Sequence, residues 1–273
     1  MIGQARTLSN DFLAYNDAGP SPYHVVAESA KRLKAKGFVE LKETDDWTAS
    51  GQVKAGGKYY ITRGGSSLVG FTCGAKFNKD TSYFKILGTH TDSPCIRLAP
   101  SSKLETLEYH MGYIQTYGGG LWHTWFDRDL IVAGRVLIKG QNGTVSHKLY
   151  RSTGAIAKIS ELCIHLRKDR ATVTVNPETH LRVLWSTYTF DKAEGAEPDA
   201  SKLNHYRLFW KDVATQCGCG IEDILDFDLC FADAQAPALV GLNQEFISAA
   251  RIDNLFSSWA ALRALDQCNP TND

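Results

Sequence analysis

The chain has 273 residues, with 30 Lys+Arg balancing 30 Asp+Glu, 43% hydrophobic residues and 22% charged ones. That is an ordinary globular composition and excludes collagen-like, mucin-like and largely disordered chains. A formal net charge of zero leaves no global basic field to collect nucleic acid or an anionic membrane, so a small-molecule or peptide substrate is expected instead.

In chain order, the segment from Ala5 to Tyr15 places Leu8, Phe12 and Tyr15 on one helical face before Asn16-Asp-Ala-Gly-Pro20 breaks it. Ser21 and Pro22 supply an N-cap and a first-turn proline for a second helix, with Val26, Ala30 and Leu33 inward and Gly37 as terminator. Strand-like runs follow at Lys58 to Arg63, Ser67 to Cys73 and Tyr83 to Leu87, separated by Gly64-Gly65 and by Asn78-Lys-Asp-Thr81. From Cys95 to about Val240 the character changes to a β-rich module with Gly118-Gly-Gly120, a Trp/Phe cluster and a strand-like Leu130 to Ile138. The polar stretch from Asp191 to Ser201 reads as a solvated loop. The chain returns to helix near Asp253, which is placed to N-cap a run carrying Leu255, Trp259, Leu262 and Leu265 on one stripe.

No run of about 18 apolar residues occurs and the N-terminal segment carries no hydrophobic signal, so the expectation is a cytoplasmic protein with no membrane partner. The seven cysteines are odd in number and lack paired spacing, which suits reduced structural thiols. Cys217-Gly-Cys219 reads as a turn rather than a zinc knuckle, for want of a second pair. Neither a phosphate-binding glycine loop nor a nucleophile elbow is present.

The chemistry concentrates where the third apolar run ends, in Gly88-Thr-His-Thr-Asp92 followed by Ser93-Pro94. An imidazole at such a strand end binds a divalent ion through one nitrogen, while a nearby carboxylate accepts a hydrogen bond from the other. His90 and Asp92 therefore form a coherent half-site, although a strand-end histidine is more often a hydrogen-bonded structural group. Asp253 has two readings as well, a carboxylate bridging two ions or a helix N-cap. Spacing alone favours the structural histidine at His90 and the helix N-cap at Asp253.

Four segments in order, Gly88 to Cys95, Gly118 to Leu130, Cys163-Ile-His-Leu166 and Arg251 to Leu255, together resemble the aspartyl aminopeptidase family, peptidase family M18. The resemblance implies a metal-dependent exopeptidase with two divalent ions, most often zinc. It implies release of N-terminal Asp or Glu from peptides, and a dimer-based homo-oligomer that reaches a dodecamer. The implied fold is an α/β/α catalytic domain, residues 1–94 and 241–273, interrupted by a β-rich dimerisation domain over residues 95–240. Carried over residue by residue, His90 and Asp253 match metal ligands and Asp92 the catalytic acid that orients His90. His165 matches a substrate-site histidine that the dimerisation domain lends to a partner subunit.

The pattern also departs from the family. Ala99 stands where a basic residue is frequent and Ala250 where a proline is, and the family's Glu-Glu pair and final ligands lie beyond Asp273. No Glu-Glu dipeptide occurs in the chain, so no general base is assigned. The expectation is an incomplete catalytic domain that is inactive alone, its uncovered sheet exposing an apolar face and an edge. The alternative is a non-catalytic subunit that co-assembles with full-length relatives through the dimerisation domain.

Overall fold

The computed structural model describes residues 2–47, 49–78, 80–193 and 204–271, so most of the acidic stretch ending at Ser201 lies outside the described residues. The elements in order are α1 (Ile2–Ala18), α2 (Pro22–Ala35), β1 (Val39–Glu40), β2 (Lys58–Arg63), β3 (Ser67–Thr72), β4 (Cys95–Thr106) and β5 (Tyr109–Tyr117). They continue as β6 (Asp129–Lys139), β7 (Val145–Arg151), β8 (Ala157–Lys158), α3 (Pro177–His180), β9 (Val183–Thr187), α4 (Tyr188–Ala193) and α5 (Arg207–Cys217). The last are β10 (Ile224–Asp233), β11 (Ala238–Val240), β12 (Phe246–Ser248) and α6 (Ile252–Gln267). The fold is mixed α/β and divides into two compact units, Met1–Ser93 with Ala236–Asp273, and Pro94–Gln235.

In the first unit the second helix forms as its caps dictate. The Ser21 hydroxyl accepts from the His24 amide, Pro22 opens the helix, and Gly37 at φ 81° ends it. The first helix is longer than its apolar spacing suggests, running through Asn16 and Asp17 to Ala18. Asn16 is buried within this helix, where its side-chain amide nitrogen donates to the Ala250 carbonyl (2.8 Å) while its Oδ1 has no hydrogen-bond partner among the described residues. Leu8 is 38% exposed and lies outside the core, whereas Phe12 and Tyr15 are fully enclosed. Phe12 and Tyr15 join Val25, Leu33, Phe38, Tyr60, Leu255, Trp259 and Leu262 in one cluster, so α1, α2 and α6 share a core with β2. The sheet runs β1-β2-β3, with β1 parallel and β3 antiparallel to β2. Residues of β2 and β3 alternate, which puts Tyr60 on the helix side while Val69 on the other face is 55% exposed.

The run from Tyr83 to Leu87, expected as a strand, belongs to no sheet of the described residues. Tyr83, Phe84, Ile86 and Leu87 are 73–88% exposed. Composition favours a strand there, but a strand exists only by pairing, and no described strand lies alongside.

In the second unit all the strand pairs are antiparallel and they close on themselves. The order β10-β4-β5-β9-β8-β6 is completed by a direct β10–β6 ladder, and β7 flanks β6 as an outer strand. Alternation along β6 sends Leu130, Val132, Val136 and Ile138 into the core with Ile96, Leu98, Leu229 and Phe231. Helix α5 adds Phe209, Trp210 and Val213 to that core. It ends at Gly218 (φ 69°), so Cys217-Gly-Cys219 is a left-handed helix cap, in keeping with the turn reading.

Candidate metal centre

The segment following the exposed 83–87 run is strapped down by side chains on both sides. The Thr91 hydroxyl donates to the Ser66 carbonyl (2.8 Å) in the β2–β3 turn, and the Ser93 hydroxyl donates to the Asp253 carbonyl (2.8 Å). From the first turns of α6, the buried Ser258 hydroxyl donates to the His90 carbonyl (2.9 Å) and stands 3.2 Å from the Thr89 hydroxyl. Sequence reasoning passed over Ser258. Its signal was a small polar residue on the apolar stripe that also carries Leu255, Trp259 and Leu262.

These straps bring His90 and Asp253 together across 163 residues of chain. His90 Nε2 lies 3.2 Å from Asp253 Oδ1, and His90 Nδ1 lies 2.9 Å from the main-chain oxygen of Asp92. The Asp92 carboxylate is farther, 3.4 Å from Nδ1, so Asp92 orients the ring chiefly through its backbone carbonyl. With a proton on Nδ1 directed at that oxygen, the Nε2 lone pair faces Asp253.

Asp253 does not stand at the N-cap position: α6 is entered after Arg251, and Asp253 (φ −82°, ψ 110°) and Asn254 form an irregular first turn before regular helix begins at Leu255. The reason lies in its neighbours, because the Asp253 carbonyl is held by Ser93 while its carboxylate points to His90 and stays 89% exposed. His165 sits in the other unit on an exposed 3-10 turn, Ile164–Leu166, rather than on a strand. The structure thus gathers His90, Asp92 and Asp253 at one place within the first unit, and carries His165 on the surface of the second.

Two donors on a tetrahedral ion with bonds of about 2.1 Å stand roughly 3.4 Å apart, so the His90–Asp253 separation fits two ligand positions of such an ion. Among the described residues no group of three or more His, Cys, Asp or Glu side chains converges to hold a metal ion. The described residues therefore fit one arm of a metal site and do not complete it.

Residues 15–272 match the family of aminopeptidase I zinc metalloproteases, M18. The chain belongs to this family. It is 36% identical to a probable aspartyl aminopeptidase of Ricinus communis, with 95% of this chain and 57% of the relative aligned. It is 37% identical to an aspartyl aminopeptidase of Caenorhabditis elegans, covering 96% of the chain and 56% of the relative. The chain thus spans a little over half the length of these curated relatives. The fold is shared with a chain in a cryo-EM structure of the Ape4 and Nbr1 complex (TM-score 0.91, 33% identity, 97% of this chain and 51% of that one). It is shared too with a Saccharomyces cerevisiae mApe1 dodecamer (TM-score 0.77, 25% identity, 97% and 58%). No helix of the described residues is long and apolar enough to cross a membrane.

Proposed function

We propose that this M18 chain forms part of a zinc-dependent aspartyl aminopeptidase that removes N-terminal Asp or Glu from peptides with the help of two divalent ions. The reading rests on one observation above all, the imidazole Nε2 of His90 facing the Asp253 carboxylate at 3.2 Å. In this reading the first unit is the catalytic α/β/α domain, interrupted by a β-rich dimerisation domain over residues 95–240. When bound, zinc supplies Lewis-acid polarisation of the scissile carbonyl and makes an attacking water available near neutral pH. His90 contributes Nε2 as a ligand, while the Asp92 backbone oxygen fixes its tautomer and ring angle. Asp253 would hold metal through its carboxylate, which is 89% exposed and stands beside His90. Ser93 and Ser258 hold the two ligand-bearing segments in register.

The His165 turn is assigned to association between subunits, where it reaches the partner's substrate site. Leu162, Ile164 and Leu166 around it are 52–69% exposed, an apolar cluster of the kind that subunit contacts cover. The dodecameric structure of the Saccharomyces cerevisiae relative supports a homo-oligomer. The same turn favours the second reading, a non-catalytic subunit that joins full-length relatives.

Zinc titration and hydrolysis of an aspartyl chromogenic substrate, run together, test both. The 273-residue chain is expected to bind zinc, to lose at least tenfold in affinity in His90→Ala and in Asp253→Ala, and to show no turnover alone. Undiminished zinc binding in both variants would overturn the ligand assignment. Turnover that a chelator abolishes would overturn the inactivity and, with it, the non-catalytic reading.

A further inference from the structure

The two residues that lead into α6, Ala250 and Arg251, are held from α1. Near the end of α1 the Asn16 amide nitrogen donates to the Ala250 carbonyl (2.8 Å), and the Arg251 guanidinium returns a hydrogen bond from Nη2 to the Asn16 carbonyl (3.2 Å). One residue of α1 is thus joined to two successive residues of the α6 entrance. Farther back on the same helix the Arg6 guanidinium donates to the Asn243 carbonyl (2.8 Å), so α1 guides the approach to α6 at a second point. The Arg251 carbonyl then accepts from the Leu255 amide (3.2 Å), which closes the turn that carries Asp253. Fastened behind by Arg251 and ahead by Leu255, with Ser93 on its own carbonyl, Asp253 has its backbone fixed, and with it the direction of its carboxylate towards His90.

Three local rules are broken together at this junction. Asn16 is buried in a helix, where asparagine is a poor former, and its Oδ1 has no hydrogen-bond partner among the described residues. Arg251 takes the left-handed conformation (φ 57°, ψ 28°), which a residue with a side chain disfavours. Asp253 and Asn254 leave the helical region inside the first turn of α6. Each departure costs stability, and such costs gather where a chain holds a functional group rather than where it only packs.

We propose that Asn16 is a positioning residue for Asp253, acting through Ala250 and Arg251 to aim its carboxylate beside His90 and so to set the zinc affinity of this arm of the site. The inference rests on the reading of His90 and Asp253 as ligands. A carboxylate free to swing away from the imidazole must be ordered before both groups bind one ion, and that ordering is subtracted from the affinity. The neighbouring Tyr15 offers the contrast. Its hydroxyl pairs with the Ser29 hydroxyl of α2 (2.9 Å), so it ties α1 to α2 rather than to the α6 entrance.

Zinc titration of the 273-residue chain by competition with a chromogenic chelator, paired with thermal unfolding of each variant, is the test. Asn16→Ala is expected to weaken zinc binding by about three- to tenfold, less than the loss of a group that touches a ligand directly. Tyr15→Phe is expected to lower the thermal midpoint and to leave zinc affinity unchanged. Arg251→Gly suits the left-handed backbone, removes the bond to Asn16, and is expected to lose zinc affinity as Asn16→Ala does. It carries the test where Asn16→Ala folds poorly. In an Asp253→Ala background Asn16→Ala is expected to cost nothing further, because the group it aims is absent. Unchanged zinc affinity in Asn16→Ala and Arg251→Gly, beside a loss in Asp253→Ala, would overturn the positioning role alone. Unchanged affinity in all three overturns the ligand reading and the positioning role together. An equal loss in Tyr15→Phe, or a loss that adds to that of Asp253→Ala, makes Asn16 a structural residue only.

Discussion

At the level of single residues, His90 is oriented by a main-chain oxygen, which sets the expectation for Asp92. Removing the carboxylate in Asp92→Ala leaves the 2.9 Å acceptor in place, so zinc affinity should fall by tenfold or less, measurably less than in His90→Ala. Competition with a chromogenic chelator measures both. A second histidine carries a pH dependence. His205 is buried between Trp210 and Phe227 with its Nδ1 at the Ser102 hydroxyl (2.8 Å), and burial pushes it down from 6.5 to about 4. Above pH 6.5 it is neutral in both folded and unfolded chains and contributes no slope. As the pH falls from 6.5 towards 4 the unfolded chain takes up the proton and the folded chain does not, so stability is lost over that window. The full drop is of the order of 3 kcal/mol for this group. Urea midpoints at pH 7 and pH 4.5 should differ less in His205→Gln than in the parent; equal differences would remove His205 from the account.

Among the elements, β6 has the tightest constraint. A Cβ on Gly134 would lie 2.0 Å from the Asp228 carbonyl and 2.9 Å from Leu229 Cα, both backbone atoms of β10 that cannot turn aside. Gly134→Ala is therefore expected to cost about 3 kcal/mol and to lower the thermal midpoint by several degrees, whereas Gly154→Ala, with open space around it, should change it little. Elements with local punctuation were legible in the sequence. Ser21-Pro22, Gly37, the Gly64-Gly65 turn and the Gly218 cap each act within a few residues, and each lies where its chemistry requires. The Tyr83–Leu87 run was misread because pairing is a property of two segments, and the composition of one of them says nothing about the other. From spacing alone Asp253 is a cap, for a related cause. Its choice between cap and ligand is made by His90 and Ser93, more than 150 residues away, and only the family resemblance pointed to it.

For the molecule as a whole, the exposed 83–87 run is an uncovered, β-prone, apolar segment without proline, and such segments drive self-association. Phe84→Lys and Ile86→Lys should each reduce concentration-dependent light scattering of the 273-residue chain; unchanged scattering would place the sticky surface elsewhere. The second unit meets the same hazard differently, by joining its strands into a circuit. That circuit is uneven. The β10–β6 and β4–β5 ladders are long, but β10 meets β4 at one position and β8 meets β9 at one. Mechanically the ring is two stiff leaves, β10-β6-β7 and β4-β5-β9, fastened along two narrow seams. Breathing within this unit should therefore be clamshell-like, with each leaf moving as a plate and the amides at the seams exchanging long before those in the middle of β6.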